Sequence, residues 1–177
     1  MRRLLKIIGI VSLSIITILF ALFTTYVYKH YPRKIDSFEV NNSILNTKIL
    51  IASQGSEFKN ALLNNIVDKI DNDSTYIKVI DVSLLNELEP NNWNAVIIIN
   101  TCIADKINKD VSQYLVESQN EIPKVLFITA GDGMWKPNNL SVDAISSASR
   151  MSKIENLSKN IFNRLSSSEN IASPNFK

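Results

Sequence analysis

The sequence predicts an α/β domain of three layers, a parallel sheet of about four strands flanked by helices, preceded by one N-terminal transmembrane helix. Three observations carry that expectation. Four short runs, KILIAS, YIKVIDV, NAVIIIN and KVLFITA, are rich in β-branched residues, as strands buried on both faces of a parallel sheet must be. Stretches with apolar residues at helical spacing separate most of them, and strands alternating with helices imply right-handed crossovers. Ahead of all this, Ile7 to Tyr28 is apolar or weakly polar and holds no charge.

That uncharged run is long enough to cross a bilayer, which takes about 20 residues. The alternative is a cleaved signal peptide, whose apolar region runs to about 7 to 15 residues and ends at a small-residue site. TTYVYKHYP offers no such site, so residues 1–6 read as a basic N-terminus and 7–28 as a retained anchor, with Tyr26, Tyr28 and Tyr31 as interfacial aromatics. Arg2, Arg3 and Lys6 on one flank face Lys29, Arg33 and Lys34 on the other, so charge alone sets the orientation weakly. A short basic terminus is usually retained inside, which favours a single-pass membrane protein with its domain outside the cytoplasm. Residues 29–46, with Pro32, Asp36, Asn41, Asn42 and Ser43, read as a polar juxtamembrane tether in which FEV is a possible short edge strand.

The globular part is expected over residues 47–168. KILIAS is the first strand, and QGSE turns the chain into EFKNALLNNIVDKI, where Phe58, Ala61, Leu62, Ile66 and Ile70 recur at helical spacing. Ser56 is placed to cap that helix and Glu57 to complement its positive end. YIKVIDV is the second strand, SLLNELEPNNW a short link broken at Pro90, and NAVIIIN the third strand, central in the sheet. TCIADKIN is a loop, and KDVSQYLVESQN a helix facing inward with Val111, Leu115 and Tyr114. KVLFITA is the fourth strand. GDGMWKPNNLSVDAISSASR is then irregular for longer than a compact domain usually allows, which marks a binding loop or a disordered one. RMSKIENLSKNIFNRLSS places Met151, Ile154, Leu157, Ile161, Phe162 and Leu165 on one helix face, and residues 169–177 form a loose tail.

Composition narrows the function. A net charge of +2 with acids and bases interspersed gives no nucleic-acid stripe. Cys102 is the only cysteine, which excludes an internal disulfide. His30 is the only histidine and lies beside the membrane, so the domain holds neither a Ser/His or Cys/His pair nor a histidine metal site. Ligands of parallel α/β sheets bind at the carboxyl ends of the strands, at the switch point of the strand order. Three loops would meet there, Ser53 to Glu57, Thr101 to Lys106 and Asp132 to Ser149.

The order KILIASQGS, helix, WNAVIIINTCI, helix, KVLFITAGDG resembles a flavodoxin-like domain across Lys48 to Leu165. The resemblance implies FMN, with Ser53, Gln54, Gly55 and Ser56 cradling its phosphate and the loops holding Thr101, Cys102, Asp132 and Trp135 flanking the ring. The first loop departs from the Thr/Ser-rich turn of flavodoxins, and Glu57 places a negative charge beside it. A tight turn is the plain reading of QGSE. VDAISSAS is in turn similar to the D-x-x-[ST]-G-A-[TS] segment to which a flavin transferase joins FMN. Asp143, Ser146, Ala148 and Ser149 match, Ser147 stands where glycine is usual, and Ser149 would be the acceptor. The same residues also read as a helix start capped by Ser141 or Asp143.

Other residues have two readings each. Cys102 is either a reactive thiol or a small buried hydrophobe, and Trp135 either covers a ligand or closes the loop over the core. Asp81, Asp105, Asp132 and Asp143 read as turn residues and caps, with Asp132 between two glycines placed to reach a ligand. Two functions follow: an anchored flavoprotein that passes electrons to a redox partner, or a cofactor-free anchored module that contacts a partner.

Overall fold

The computed structural model describes residues 2–103, 106–118, 125–131, 133–135 and 142–167. Asp105, Asp132 and the tail expected over residues 169–177 lie outside them. The chain divides into two units, Met1–Pro32 and Arg33–Lys177.

The first unit is one helix, α1 (Arg2–His30), which carries the expected apolar run and continues two residues past Tyr28. Leu5–Tyr28 is long and apolar enough to cross a membrane and is exposed throughout, the profile of a single-pass anchor or a signal sequence. Its hydroxyls return to the backbone: Ser14 donates to the Ile10 carbonyl, Thr17 to Leu13, and Thr24 and Thr25 both to Ala21. A helix in hydrocarbon needs its polar groups satisfied internally in this way.

Among the described residues the second unit contains six strands: β1 (Phe38–Val40), β2 (Thr47–Ser53), β3 (Thr75–Asp81), β4 (Ala95–Thr101), β5 (Val125–Gly131) and β6 (Asp143–Ala148). They form one sheet in the order β1-β3-β2-β4-β5-β6, antiparallel only at β1. The four strands read from the sequence are β2 to β5. Numbered among the parallel strands alone, the order is 2-1-3-4-5, the doubly wound order of the flavodoxin-like fold.

Helices α2 (Glu57–Ile70) and α4 (Ile154–Ser166) cover one face. There Ile49, Ile51, Ile77, Val79, Ile97, Ile99, Ile128 and Ile145 meet Leu62, Ile66, Leu157 and Ile161. Ser158 Oγ donates to Asn65 Oδ1 across the two helices at 2.6 Å, and Lys69 pairs with Glu155 at 2.8 Å. On the other face α3 (Lys109–Glu117) and a 3-10 turn, Val82–Glu87, cover Leu50, Ala52, Ile80, Val96 and Ile98. Each fully buried Ile or Leu contributes about 1.5 to 3 kcal/mol of transfer free energy, so the β-branched strands hold both layers.

Three expectations are corrected. The segment 143–148, read as loop or helix start, is a fifth parallel strand that precedes the last helix, because β5 supplies a ladder from Leu126↔Asp143 to Gly131↔Ala148. Part of the expected tether belongs to the domain: Phe38–Val40 pairs with β3, and Asn41 takes a left-handed φ of 65° while its amide donates to Asp71, Asn72 and Thr75. Met151, expected on the inner face of the last helix, lies instead in a 3-10 turn, Met151–Lys153, and is 52% exposed.

Candidate functional site

The strand order reverses between β2 and β4, so their carboxyl ends form the switch point where ligands of this architecture bind. Ser53 is fully buried at the end of β2, and its hydroxyl donates to the Gln54 carbonyl. Gln54 bridges the two strands. Its N–H donates to the Ile99 carbonyl at 3.0 Å, and its Oε1 accepts from the Thr101 N–H at 2.8 Å. Ser56 caps α2 as expected, accepting from the Lys59 N–H at 3.2 Å. Cys102 is half-buried just beyond β4.

Gly55 is where the tertiary structure adds what local pattern did not. Its N–H donates to the Arg33 carbonyl at 2.6 Å, and the Arg33 N–H donates back to the Gly55 carbonyl at 2.8 Å. A Cβ on Gly55 would stand 3.0 Å from the Arg33 oxygen, 3.0 Å from Ile35 Cγ2 and 3.2 Å from the Lys34 oxygen. Residues Arg33 to Ile35 therefore lie as a strap across the first loop. Asp81, buried at the end of β3, fastens it: the carboxylate accepts from the Ile35 N–H at 3.0 Å, the Ser83 N–H at 3.0 Å and the Ser83 hydroxyl at 2.7 Å. Asp81→Asn keeps the shape but puts an NH2 donor in place of one of the two accepting oxygens, so at least one bond is lost. It is expected to cost about 1 to 3 kcal/mol in denaturant unfolding and to speed exchange of the Ile35 amide.

The remaining site residues separate. Gly133 has φ 88°, and a Cβ there would come within 2.8 Å of the Ala148 nitrogen, so this glycine lets the loop after β5 press against the carboxyl end of β6. Trp135, like Val142 and Ala144, packs against the core on the face covered by α3. Ser149 is exposed immediately after β6, and Ser146 is half-buried within it. Asp143 starts that edge strand, level through the ladders with Leu126, Ile97 and Ile51, so it is set apart from Ser53 and Gly55 by the intervening β4 and β5. It pairs with Arg164 of α4. The eleven residues expected to form one site are thus split: Ser53, Gln54, Gly55, Ser56, Thr101 and Cys102 share the switch point, Trp135 and Ser149 follow the neighbouring strands, Asp143 and Ser146 lie within the edge strand β6, and Asp132 lies outside the described residues.

FMN in the flavodoxin manner needs free amides and space at the first loop. Here the Gln54 N–H goes to Ile99, the Gly55 N–H goes to Arg33, and the strap fills the volume above Gly55. The residues present do not fit a phosphate at that loop.

Two buried polar groups were not read from the sequence. Lys59 is 2% exposed in the first turn of α2 and takes no part in the three ion pairs among the described residues, Lys69–Glu155, Lys78–Glu39 and Arg164–Asp143. Burial alone lowers its pKa from 10.5 to about 8. The signal was present, since position 59 shares a helical stripe with Leu63, Ile66 and Ile70. Asn100, fully buried near the end of β4, donates to the Thr101 carbonyl while its Oδ1 has no hydrogen-bond partner among the described residues.

No family model matches the sequence, and no curated protein matches it. Among solved structures the chain is similar to oxidised flavodoxin 1 from Bacillus cereus, with 11% identity and a TM-score of 0.46, over 67% of this chain and 98% of that one. It is also similar to a variant flavo di-iron protein from Thermotoga maritima, with 12% identity and a TM-score of 0.44, over 67% of this chain and 35% of that one. The strand order carries the fold assignment independently of these likenesses: the domain is flavodoxin-like in architecture.

Proposed function

We propose that this protein is a membrane-anchored flavodoxin-like module that works as an accessory or interaction component and does not hold FMN at its first loop. One observation carries this reading, the reciprocal pairing of Arg33 with Gly55, which gives the chain's own backbone the place of a phosphate. The fold keeps the scaffold and the rim, and a scaffold by itself does not specify chemistry. FMN added to detergent-extracted full-length protein is expected to keep its free fluorescence. Saturable quenching at micromolar protein would overturn the reading.

A second reading has one observation in its favour. Ser149 is exposed directly after β6, where a flavin transferase could bring a flavin dinucleotide whose FMN phosphorus the hydroxyl attacks, forming the phosphoester as the pyrophosphate bond breaks and a nucleoside monophosphate and the serine proton leave. In that case the flavin supplies the electron-transfer chemistry and a redox partner receives the electrons. Against it, Asp143 of the same segment is engaged with Arg164 and begins a strand. Acid-precipitated protein from a host with an active transferase is expected to be colourless. A yellow pellet that disappears in Ser149→Ala would establish the flavoprotein instead.

A further inference from the structure

The carboxyl rim carries apolar side chains that the core does not use. Ile103 follows β4 and is 55% exposed, Met134 follows β5 and is 81% exposed, and Met151 follows β6 and is 52% exposed. Because β4, β5 and β6 are adjacent and strands stand about 4.8 Å apart, the three ride on a rim only about 10 Å across. The Ile103↔Lys106 bridge, the contact of Gly133 with Ala148 and the Arg150 N–H to Ala148 bond hold the three loops at this end. Exposed methionines are adaptable contact residues, and large apolar side chains gathered at one edge mark an interaction surface.

Cations accompany them. Lys34 on the strap, Lys106 after β4, and Arg150 and Lys153 after β6 are all exposed. The carboxylates exposed at the same end are Asp36 after the strap and Glu57 and Glu155 in the first turns of α2 and α4, the last of them paired with Lys69. Apolar groups edged by Lys and Arg suit an anionic lipid surface, where the cations meet headgroups and the apolar side chains enter the interface. The chain also leads there, since only Tyr31 and Pro32 separate the last residue of α1 from the strap on Gly55.

We propose that this rim docks on the anionic surface of the bilayer that α1 crosses, so that the edge used for ligands in this architecture is applied to lipid. The inference rests on α1 being a retained anchor. Full-length protein in the Cys102→Ser background, with a fluorescent label at Met134→Cys, is reconstituted into phosphatidylcholine vesicles with and without phosphatidylglycerol and quenched with iodide. Ile44→Cys, exposed ahead of β2 at the other end of the strands, is the control site.

Phosphatidylglycerol is expected to shield the Met134 label about fivefold or more, since each Lys or Arg near such a surface contributes about a fivefold gain in occupancy. Ile44 is expected to stay accessible, and high salt or Arg150→Glu with Lys153→Glu is expected to abolish the shielding. Equal quenching in both vesicles, shielding at Ile44, or shielding that ignores lipid charge and salt, as a protein partner would give, overturns the proposal. A carbonate wash separates the two failures: protein that leaves both kinds of vesicle overturns the anchor, whereas retained protein with an unshielded Met134 overturns only the docking.

Discussion

Lys59→Met is expected to stabilise the folded domain at pH 7 by about 3 kcal/mol, measured by denaturant unfolding. The ammonium is buried beneath the first turn of α2, and burial lowers its pKa from 10.5 to about 8. Between those two values the unfolded chain binds more protons than the folded one, so the stability of the natural protein rises with pH across that window. Below pH 8 the folded state carries the whole cost of the buried charge. Methionine fills a similar volume without that cost, and the variant is expected to lose the rise between pH 8 and pH 10. Above pH 10 stability falls in both proteins. Tyr114, whose pKa burial pushes up to about 12, stays neutral in the folded state while unfolded tyrosines ionise. A variant that is less stable at pH 7 would show that Lys59 has a stabilising partner, and one that keeps the rise above pH 8 would show that the rise belongs to another group.

Gly55→Val is expected to cost about 2 to 3 kcal/mol and to lift the strap. The position has no room for a first side-chain carbon, because backbone oxygens of Arg33 and Lys34 stand at 3.0 and 3.2 Å and the Ile35 side chain at 3.0 Å. Valine adds two more methyl groups. Hydrogen exchange should therefore quicken at Arg33, Ile35 and Gly55 and stay slow in β4, whose ladders to β2 and β5 do not involve the strap. Unchanged exchange at Ile35 would mean that the strap is not held by this packing.

The parts of the fold that were legible are those with a local signature. KILIAS, YIKVIDV, NAVIIIN and KVLFITA lie within one residue of β2 to β5, and EFKNALLNNIVDKI matches α2 residue for residue. DAISSA was not legible as a strand. It has one β-branched residue and three serines or alanines beyond it, and it is extended because β5 offers an open ladder. Lys59 was passed over for a related reason: a lysine is almost never fully buried, and only the folded structure shows that this one is. For the candidate site, strand alternation put the ends of β2 and β4 side by side, while Asp143 and Ser149 stand at the two ends of β6, a strand that local pattern did not reveal.

By itself the sequence determined the class, the parallel core strands, the amphipathic helices and the apolar N-terminal run, because each depends on side-chain pattern over a few neighbouring residues. The tertiary structure alone decided that Arg33 lies on Gly55, that β6 completes the sheet and that a lysine is buried under the first helix of the domain. Those outcomes depend on which distant backbone groups and surfaces remain to be satisfied once the core has formed, and no local pattern encodes that remainder.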